Sequence, residues 1–541
     1  MAMTNSSRFN HITNKVLIQR GSPAVYRLIP TTAHVGSLTR MTLGQKDASK
    51  LNKTILFVGE TGTGKSTLIN ALVNYAMGVK WEDNIWFEIV EDNKTASQSE
   101  NQCESQTSDV TVYEIFGFED QTLPYSLTII DTPGYGDTGG IEHDDIVSQR
   151  LLDLFRTEDG VHEINAVGLV LKASVNRLDD RQSYIFNSVL SLFGKNMEDS
   201  IVALITHSPG RQPKNVLKAL EGAKIKCAKD NKNQPVYFLF DNCQKEDREE
   251  DPDGLEHADE ITKKGMGQFG EFLRRSEPKR LQVTVDVLNE RETLKACIKN
   301  LRERVEFIED KQKEIKEKEE ALKKHKGEIE KNKDFKIPTT EIYKDKEKYD
   351  GGRKWYTLWL AKSGTLCCTK CEENCHDLCS LSWTAGMCEV ISNSRCTVCT
   401  GKCHQSQHVK DSWRYVTKTK TVMQTCEEMK DKFEAGMAGH AKAKSLLEIL
   451  QIVMEELQKD KDKWLDEAFK HIIELETIAL NADSLTVHEH LDFLIKRMEE
   501  KGDTQKIQKL TEMKSRVDRG IQAGMRYMGA GGKVHGGRET E

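Results

Sequence analysis

Residues 53–67, KTILFVGETGTGKST, combine the residue types and spacing that a phosphate-binding loop needs. An apolar run ends at Gly59, and the pattern Gly59-x-x-x-x-Gly64-Lys65-Ser66 follows without a mismatch before a helical run begins. The glycines permit positive φ angles, so backbone N–H groups can turn toward a phosphate at a helix N-terminus. The loop predicts a nucleotide site; the alternative is a glycine-rich turn between a strand and a helix.

A second motif, Asp131-Thr132-Pro133-Gly134, ends another apolar run. Here a carboxylate can hold Mg²⁺ or its water, and Gly134 can bring an N–H group to the γ-phosphate. Lys65 can reach the β- and γ-phosphates, and Ser66 can bind Mg²⁺. Together the two motifs favour a GTPase over an ATPase or a kinase. The expected phosphate contacts are Gly59, Glu60, Thr61, Gly62, Thr63, Gly64, Lys65, Ser66 and Thr67.

Composition sets broad limits on the class of protein. A chain of 541 residues predicts several domains, and 37% hydrophobic residues suffice for a core. The net charge of −7 gives no argument for nucleic-acid binding. The N-terminus lacks the apolar segment of a signal peptide, and no apolar run is long enough to span a membrane. These features predict a cytoplasmic protein without a transmembrane segment.

The order of apolar runs predicts an α/β domain over residues 51–278. About six strand-like runs alternate with helix-like runs, which is typical of a mostly parallel sheet with covering helices. The polar segment 1–50 before it either packs on this domain or stays flexible. The strand-like runs are 54–58, 110–117, 126–134, 166–172, 200–207 and 235–242.

Six segments of this domain resemble the AIG1-type, or immunity-associated, GTPases: VGETGTGKSTLIN, SQTSDVT, LTIIDTPGYGD, RLDDRQ, ITHSPG and FLFDN. The likeness is closest to the larger fish members, which carry a helical and cysteine-rich extension. It implies a P-loop GTPase-type fold that binds GTP or GDP with Mg²⁺ and forms a nucleotide-dependent homodimer. By this resemblance, Thr107 binds Mg²⁺ with Ser66 and Asp131, and Thr111 is the alternative. The implied catalytic set is Lys65, Thr107 and Gly134.

Two departures from the usual GTPase pattern bear on function. Pro209 stands where a base-reading Asp is expected, and it has neither a polar side chain nor an N–H. Resemblance to related GTPases implies Thr206, His207 and Asn242 as the candidate base contacts, although His207 could instead simply end a strand. Tyr135 stands where many small GTPases place a water-orienting Gln. We therefore expect slow or dimer-dependent hydrolysis; the alternative is a non-hydrolysing nucleotide-binding scaffold.

After this domain, residues 281–334 predict a long helix. Apolar residues recur every seven positions, which is typical of a coiled coil. A second position of the repeat is also apolar up to Val305, and polar residues occupy it after that. The helix pairs either with a partner chain or with the C-terminal helices of its own chain. The extension as a whole is expected to bind a protein partner. The seven-residue series is Val287, Leu294, Leu301, Ile308, Ile315, Leu322 and Ile329.

Residues 335–420 form a cysteine-rich segment with nine cysteines and two Cys-x₂-Cys-x₃-Cys-His elements. Such spacing can present thiolates to a tetrahedral Zn²⁺, and it predicts structural rather than catalytic zinc. Disulfides or free thiols are the alternative. The candidate ligands are Cys368, Cys371, Cys375, Cys379, Cys396, Cys399, Cys403 and His404.

The remaining chain is predicted to be helical over residues 421–528 and flexible over 529–541. Four segments carry apolar residues at steps of three and four, which suits a helical bundle. These segments are 446–458, 464–480, 487–500 and 507–521.

Overall fold

The computed structural model divides the chain into two compact units. The first comprises Met1–Leu288, Glu476–Leu485 and Ser515–Glu541, and the second comprises Asn289–Leu475 and Thr486–Lys514. The structure describes residues 9, 12, 14–35, 38–90, 110–119, 121–133, 141–348, 364–379, 384–436, 445–481 and 485–515. The predicted flexible tail, 529–541, lies outside these residues.

An eight-stranded sheet forms the centre of the first unit, in the order β12-β11-β10-β5-β8-β7-β4-β3. Strands β12, β11, β10, β5 and β8 run parallel to one another, and β7 is antiparallel to β8. This confirms the expected mostly parallel α/β fold. The strands are β3 (Thr31–Val35), β4 (Leu38–Leu43), β5 (Asn52–Gly59), β7 (Thr111–Ile115), β8 (Ser126–Asp131), β10 (Ala166–Lys172), β11 (Ile201–Thr206) and β12 (Tyr237–Leu239).

Two hydrophobic cores cover the faces of this sheet. Side chains alternate between the faces along a strand, so Leu56 and Val58 enter one core while Ile55 and Phe57 enter the other. The central strands are buried on both faces, which explains their nearly continuous apolar sequence. The unit's helices are α1 (Lys65–Ala76), α2 (Ile141–Arg156), α3 (Asp180–Leu190), α4 (Lys214–Gly222) and α5 (Pro252–Arg275).

Smaller sheets complete the first unit. One has the order β1-β2-β6, and the other pairs β13 with β9. Short 3₁₀ helices occupy Trp81–Asp83 and Lys195–Ser200. These strands are β1 (Lys15–Gln19), β2 (Ala24–Leu28), β6 (Ile85–Glu88), β9 (Glu163–Ile164) and β13 (Lys279–Arg280).

The described part of the N-terminal segment belongs to this fold. From the sequence alone, packing on the domain and flexibility were both possible for it. β4 pairs in parallel with β7, and β3 pairs with β4 in an antiparallel hairpin. Leu38 and Leu43 are buried in the cores of the unit. The compact unit therefore begins well before residue 51.

The second unit combines long helices with cysteine-bearing strands. Its sheets pair β14 with β20, β17 with β18, and β15 with both β16 and β19. The predicted segments 446–458 and 464–480 form one continuous helix, α9. The elements are α6 (Gln282–Lys324), α7 (Lys326–Lys331), β14 (Ile337–Lys348), β15 (Gly364–Cys368), β16 (Glu373–Cys379), β17 (Ile391–Ser392), β18 (Arg395–Cys396), β19 (His408–Asp411), β20 (Trp413–Gln424), α8 (Cys426–Gly436), α9 (Leu446–Ile478), α10 (Leu485–Lys501) and α11 (Thr504–Ser515).

The seven-residue repeat forms helix α6, whose first residues belong to the first unit. In the second unit, Ile315 and Leu322 pack in one core with Met429 of α8 and Leu450 of α9. These residues of the repeat therefore pack against helices of their own chain. The helix ends at Lys324, ten residues before the predicted end. Among the described helices, none combines the length and apolarity that crossing a membrane requires.

Candidate functional site

The predicted phosphate-binding loop connects β5 to α1 at the carboxyl edge of the parallel strands. Gly62 and Gly64 have φ angles of 82° and 85°, in the left-handed region that favours glycine. Gly64 is also the N-cap residue of α1, and no side chain caps this helix. The amides of the first helical turn therefore face the loop, as an anion site requires. Ser66 and Thr67 lie in this turn and are half-buried.

Lys65 is held beside the end of β8. Its Nζ lies 3.6 Å from Asp131 Oδ1 and donates to the backbone carbonyl of Thr132. Burial lowers the pKa of Lys65, and the charge of Asp131 acts in the opposite direction. Thr132 Oγ1 donates at 3.0 Å to the carbonyl of Phe57 and so ties this turn to β5. The two sequence motifs therefore meet at one point, with a cation beside a carboxylate.

Thr206 braces the loop from the other side. Its Oγ1 lies 2.6 Å from the carbonyl of Thr63 and 3.1 Å from that of Leu171. The side chain is fully buried, so its hydroxyl is engaged by the loop and by β10. The sequence pointed to Thr206 as a base contact; in the structure its hydroxyl contacts the phosphate loop and β10. Thr63 Oγ1 donates to the carbonyl of Glu60 at 2.8 Å and tightens the turn further.

Two of the predicted base contacts follow neighbouring parallel strands. His207 and Asn242 come just after β11 and β12, whose ends are joined by a 3.0 Å hydrogen bond from Ser208 N to the carbonyl of Phe240. The exposed His207 has a φ of 50°, and its Nε2 would lie 3.6 Å from a Cβ at Gly64. Its ring thus covers the helix end of the phosphate loop.

Asn242 offers a buried polar group at this edge. Its Oδ1 accepts from Thr262 Oγ1 at 3.3 Å, while Nδ2 is buried with no hydrogen-bond partner among the described residues. An unpaired amide donor complements the O6 acceptor of guanine, where adenine carries an amino donor instead. Pro209 is exposed beyond β11 and supplies no polar side-chain atom.

Three predicted residues near the γ-phosphate lie outside the described residues. These are Thr107 and Gly134, both assigned to catalysis, and Tyr135, which replaces the usual glutamine. The described part of the site therefore comprises the loop, Lys65, Ser66, Asp131 and the two strand ends at His207 and Asn242.

The second unit gathers cysteine thiols into two overlapping groups. The ligand atoms within each group lie within 4.8 Å of one another. Every described cysteine side chain is a free thiol. The first group is Cys368, Cys371, Cys399 and Cys403, and the second is Cys375, Cys396, Cys399 and His408.

Six of the eight predicted metal ligands thus come together. His404 does not, because its Nδ1 accepts from Ser406 N at 3.3 Å and caps the short helix Gln405–Gln407. His408 takes its place, and the side chain of Cys379 lies outside the described part of the structure. The Cys403-x₄-His408 spacing could have identified His408 as a ligand from the sequence. The repeated Cys-His pairs favoured His404 instead.

The chain is similar to several known proteins over part of its length. A family model for septins matches residues 49–146, which include the phosphate loop and the Asp131 motif. No curated protein matches the chain. Similar solved structures include Toc33 from Arabidopsis thaliana with Mg²⁺ and GMPPNP, at 16% identity over 42% of this chain and 88% of that one, with a TM-score of 0.29. Another is the elongation factor SelB from Methanococcus maripaludis, at 13% identity over 42% and 35%, with a TM-score of 0.23. The fold of the first unit is that of the P-loop GTPases.

Proposed function

We propose that the first unit binds guanine nucleotide with Mg²⁺ and acts as a GTPase-type switch. The observation that carries the proposal is the convergence of Lys65, Asp131 and the glycine loop at the N-terminus of α1. A buried cation beside free helix amides complements the β- and γ-phosphates. Ser66 in the first turn and Asp131 at the end of β8 would hold Mg²⁺ and its water.

Guanine selection rests on Asn242 and His207 in this proposal. Within the described part of the chain, the buried Nδ2 of Asn242 has no hydrogen-bond partner, and the His207 ring lies over Gly64 of the loop. Losing a buried hydrogen bond to the base usually costs a site much of its discrimination. Since Pro209 cannot supply the usual carboxylate, we expect a smaller preference for GTP over XTP than in GTPases that carry the Asp.

Hydrolysis is proposed to be slow in the monomer and completed in a nucleotide-dependent homodimer. Thr107 and Gly134 are the proposed γ-phosphate contacts of the switch, together with Lys65. The helical second unit is proposed to report the nucleotide state to a protein partner. The proposed place of action is the cytoplasm.

Equilibrium binding of GTP, GDP, ATP and XTP tests the nucleotide site. Lys65→Ala removes a charge-assisted hydrogen bond worth about 1.5–3 kcal/mol, so the affinity for GTP should fall by about 10- to 150-fold. The matched control is Lys218→Ala, since Lys218 is an exposed residue of α4. Absence of binding by the unaltered chain, or equal affinities of the two variants, contradicts the proposal. Equal binding of GTP and ATP keeps a nucleotide switch but rejects guanine selection.

Single-turnover hydrolysis measured over a range of protein concentrations tests the dimer. The rate constant should rise with concentration, as should the dimer fraction with a non-hydrolysable GTP analogue. A flat rate in a protein that stays monomeric rejects the dimer. Tight GTP binding without any hydrolysis would favour the scaffold function instead.

A further inference from the structure

The three-stranded sheet of the second unit brings together ligands that lie far apart in sequence. Cys368 ends β15 and is the direct register partner of His408 on β19. Cys375 lies on β16, the other neighbour of β15. The segment 396–403 supplies three more cysteines, so separate parts of the chain enclose one point.

Alternation along β15 decides which cysteine faces that point. Successive side chains of a strand point to opposite faces, and Cys367 and Cys368 are successive. The thiol of Cys367 donates to Asn374 Oδ1 at 3.4 Å and belongs to neither group. Cys367 is therefore a matched control for Cys368.

Distances among the thiols fit metal coordination. With Zn–S bonds of about 2.3 Å, the edge of a tetrahedral site is about 3.8 Å long. Cys371 Sγ and Cys403 Sγ lie 3.6 Å apart, although the two residues are 32 positions apart in the sequence. Because Cys399 belongs to both groups, two tetrahedra would share one corner.

Backbone amides point at the sulfur atoms. Cys371 N donates to Cys368 Sγ at 3.4 Å, Cys399 N donates to Cys396 Sγ at 3.3 Å, and Cys403 N donates to Cys399 Sγ at 3.2 Å. Gly401 N also donates to Cys371 Sγ at 3.4 Å. Hydrogen bonds of this kind stabilise thiolates, which are the form of cysteine that binds metal.

His408 is arranged as a metal ligand. Its Nδ1 lies 3.1 Å from the carbonyl of His404, which fixes the ring by an N–H···O hydrogen bond. Its Nε2 is buried and has no hydrogen-bond partner among the described residues, and the residue as a whole is only 6% exposed. Metal-binding histidines generally donate their other ring N–H to a carbonyl or carboxylate in this way.

A buried ion pair holds the ligand-bearing segment in place. Glu373 Oε2 accepts from Thr400 N at 2.9 Å and from Arg304 Nη2 at 2.9 Å. Arg304 also donates to the carbonyl of Val398, so the turn between Cys396 and Cys403 is fixed on both sides. Such outer contacts orient the ligands of metal sites.

We propose that these seven side chains bind two Zn²⁺ ions in one closed centre, in which Cys399 bridges the metals and His408 is the single nitrogen ligand. One ion would have four sulfur ligands and the other three sulfurs and one nitrogen. Six of the seven ligand side chains are buried, so both ions are structural, without an open coordination position. All seven ligands belong to the second unit, so the proposed centre does not rest on nucleotide binding by the first.

X-ray absorption of the full-length protein, purified under reducing conditions with zinc, tests the centre without any substitution. We expect two zinc ions per chain and an average environment rich in sulfur. Because both ions share one thiolate, Zn–Zn scattering should appear at about 3.8 Å. One zinc per chain, or two without Zn–Zn scattering, overturns the proposal. Disulfides in place of metal, detected by mass before and after reduction, also overturn it.

Substitutions then distinguish a shared ligand from two separate sites. Cys371→Ala and Cys375→Ala should each lower the zinc content from two to about one per chain, whereas Cys399→Ala should remove nearly all of it. Cys367→Ala, the matched control, should keep both ions. A Cys399→Ala chain that retains one complete site contradicts the bridge. Zinc loss in His404→Ala rather than His408→Ala contradicts the ligand assignment.

Discussion

Replacing Thr206 with valine tests whether this residue positions the phosphate loop. Valine keeps the shape of threonine and removes only the hydroxyl that the Thr63 and Leu171 carbonyls share. One O–H group has one proton, so at most one full hydrogen bond is lost. A buried carbonyl left without a donor costs about 1–3 kcal/mol. We therefore expect the free energy of unfolding of the first unit to fall by up to this amount.

The effect on nucleotide binding distinguishes the two roles considered for Thr206. If the whole loss falls on the binding conformation of the loop, affinity drops by about 5- to 150-fold. A loosened loop weakens the binding of GTP, GDP and ATP by the same factor, because all three present phosphates to it. Titration with fluorescent nucleotide analogues measures this factor, and Thr206→Ser, which keeps the hydroxyl, is the control. A loss confined to guanine nucleotides, or equal losses in the serine and valine variants, refutes the positioning role.

Two further predictions concern the second unit. Leu450→Ala should lower the free energy of unfolding by about 2–5 kcal/mol, because Leu450 is fully buried in one core with Ile315 and Leu322. Met423→Ala, the control at an exposed site, should lower it little. Denaturant unfolding of both variants measures the two losses, and similar values would contradict the packing. Burial, with Arg302 and Lys295, lowers the pKa of His490 to about 4, so the unfolded state binds the proton first as pH falls. Stability should drop by about 2 kcal/mol between pH 7 and 5 relative to His490→Leu, and parallel pH profiles would refute this.

The sequence predicts the strands that are buried on both faces and misses β3 and β4 at one end of the sheet. β5, β8, β10 and β11 carry nearly continuous apolar runs, since each lies between two layers of packing. β4 is buried only at its two ends, and its middle residues are half-buried, so it lacks such a run. Its place in the sheet depends on pairing with β7, which is a tertiary contact.

The two candidate sites also differ in how far they depend on tertiary contacts. The phosphate loop is local, because one continuous stretch supplies the strand, glycines, lysine and helix, and spacing alone identifies it. His408 reaches the cysteine groups through its pairing with Cys368, forty residues earlier in the chain. The seven-residue repeat likewise predicts helix α6, but its packing partners on α8 and α9 follow more than a hundred residues later.

The hairpin of β3 and β4 has a practical consequence for dissecting this protein. A chain cut at residue 50, where the apolar runs begin, would lose both strands and leave β7 unpaired along one side. Unpaired strand edges present open N–H and C=O groups that template aggregation. The cut would also uncover the core around Leu38 and Leu43. Insolubility of such a fragment would therefore reflect a broken sheet and would say nothing about nucleotide dependence.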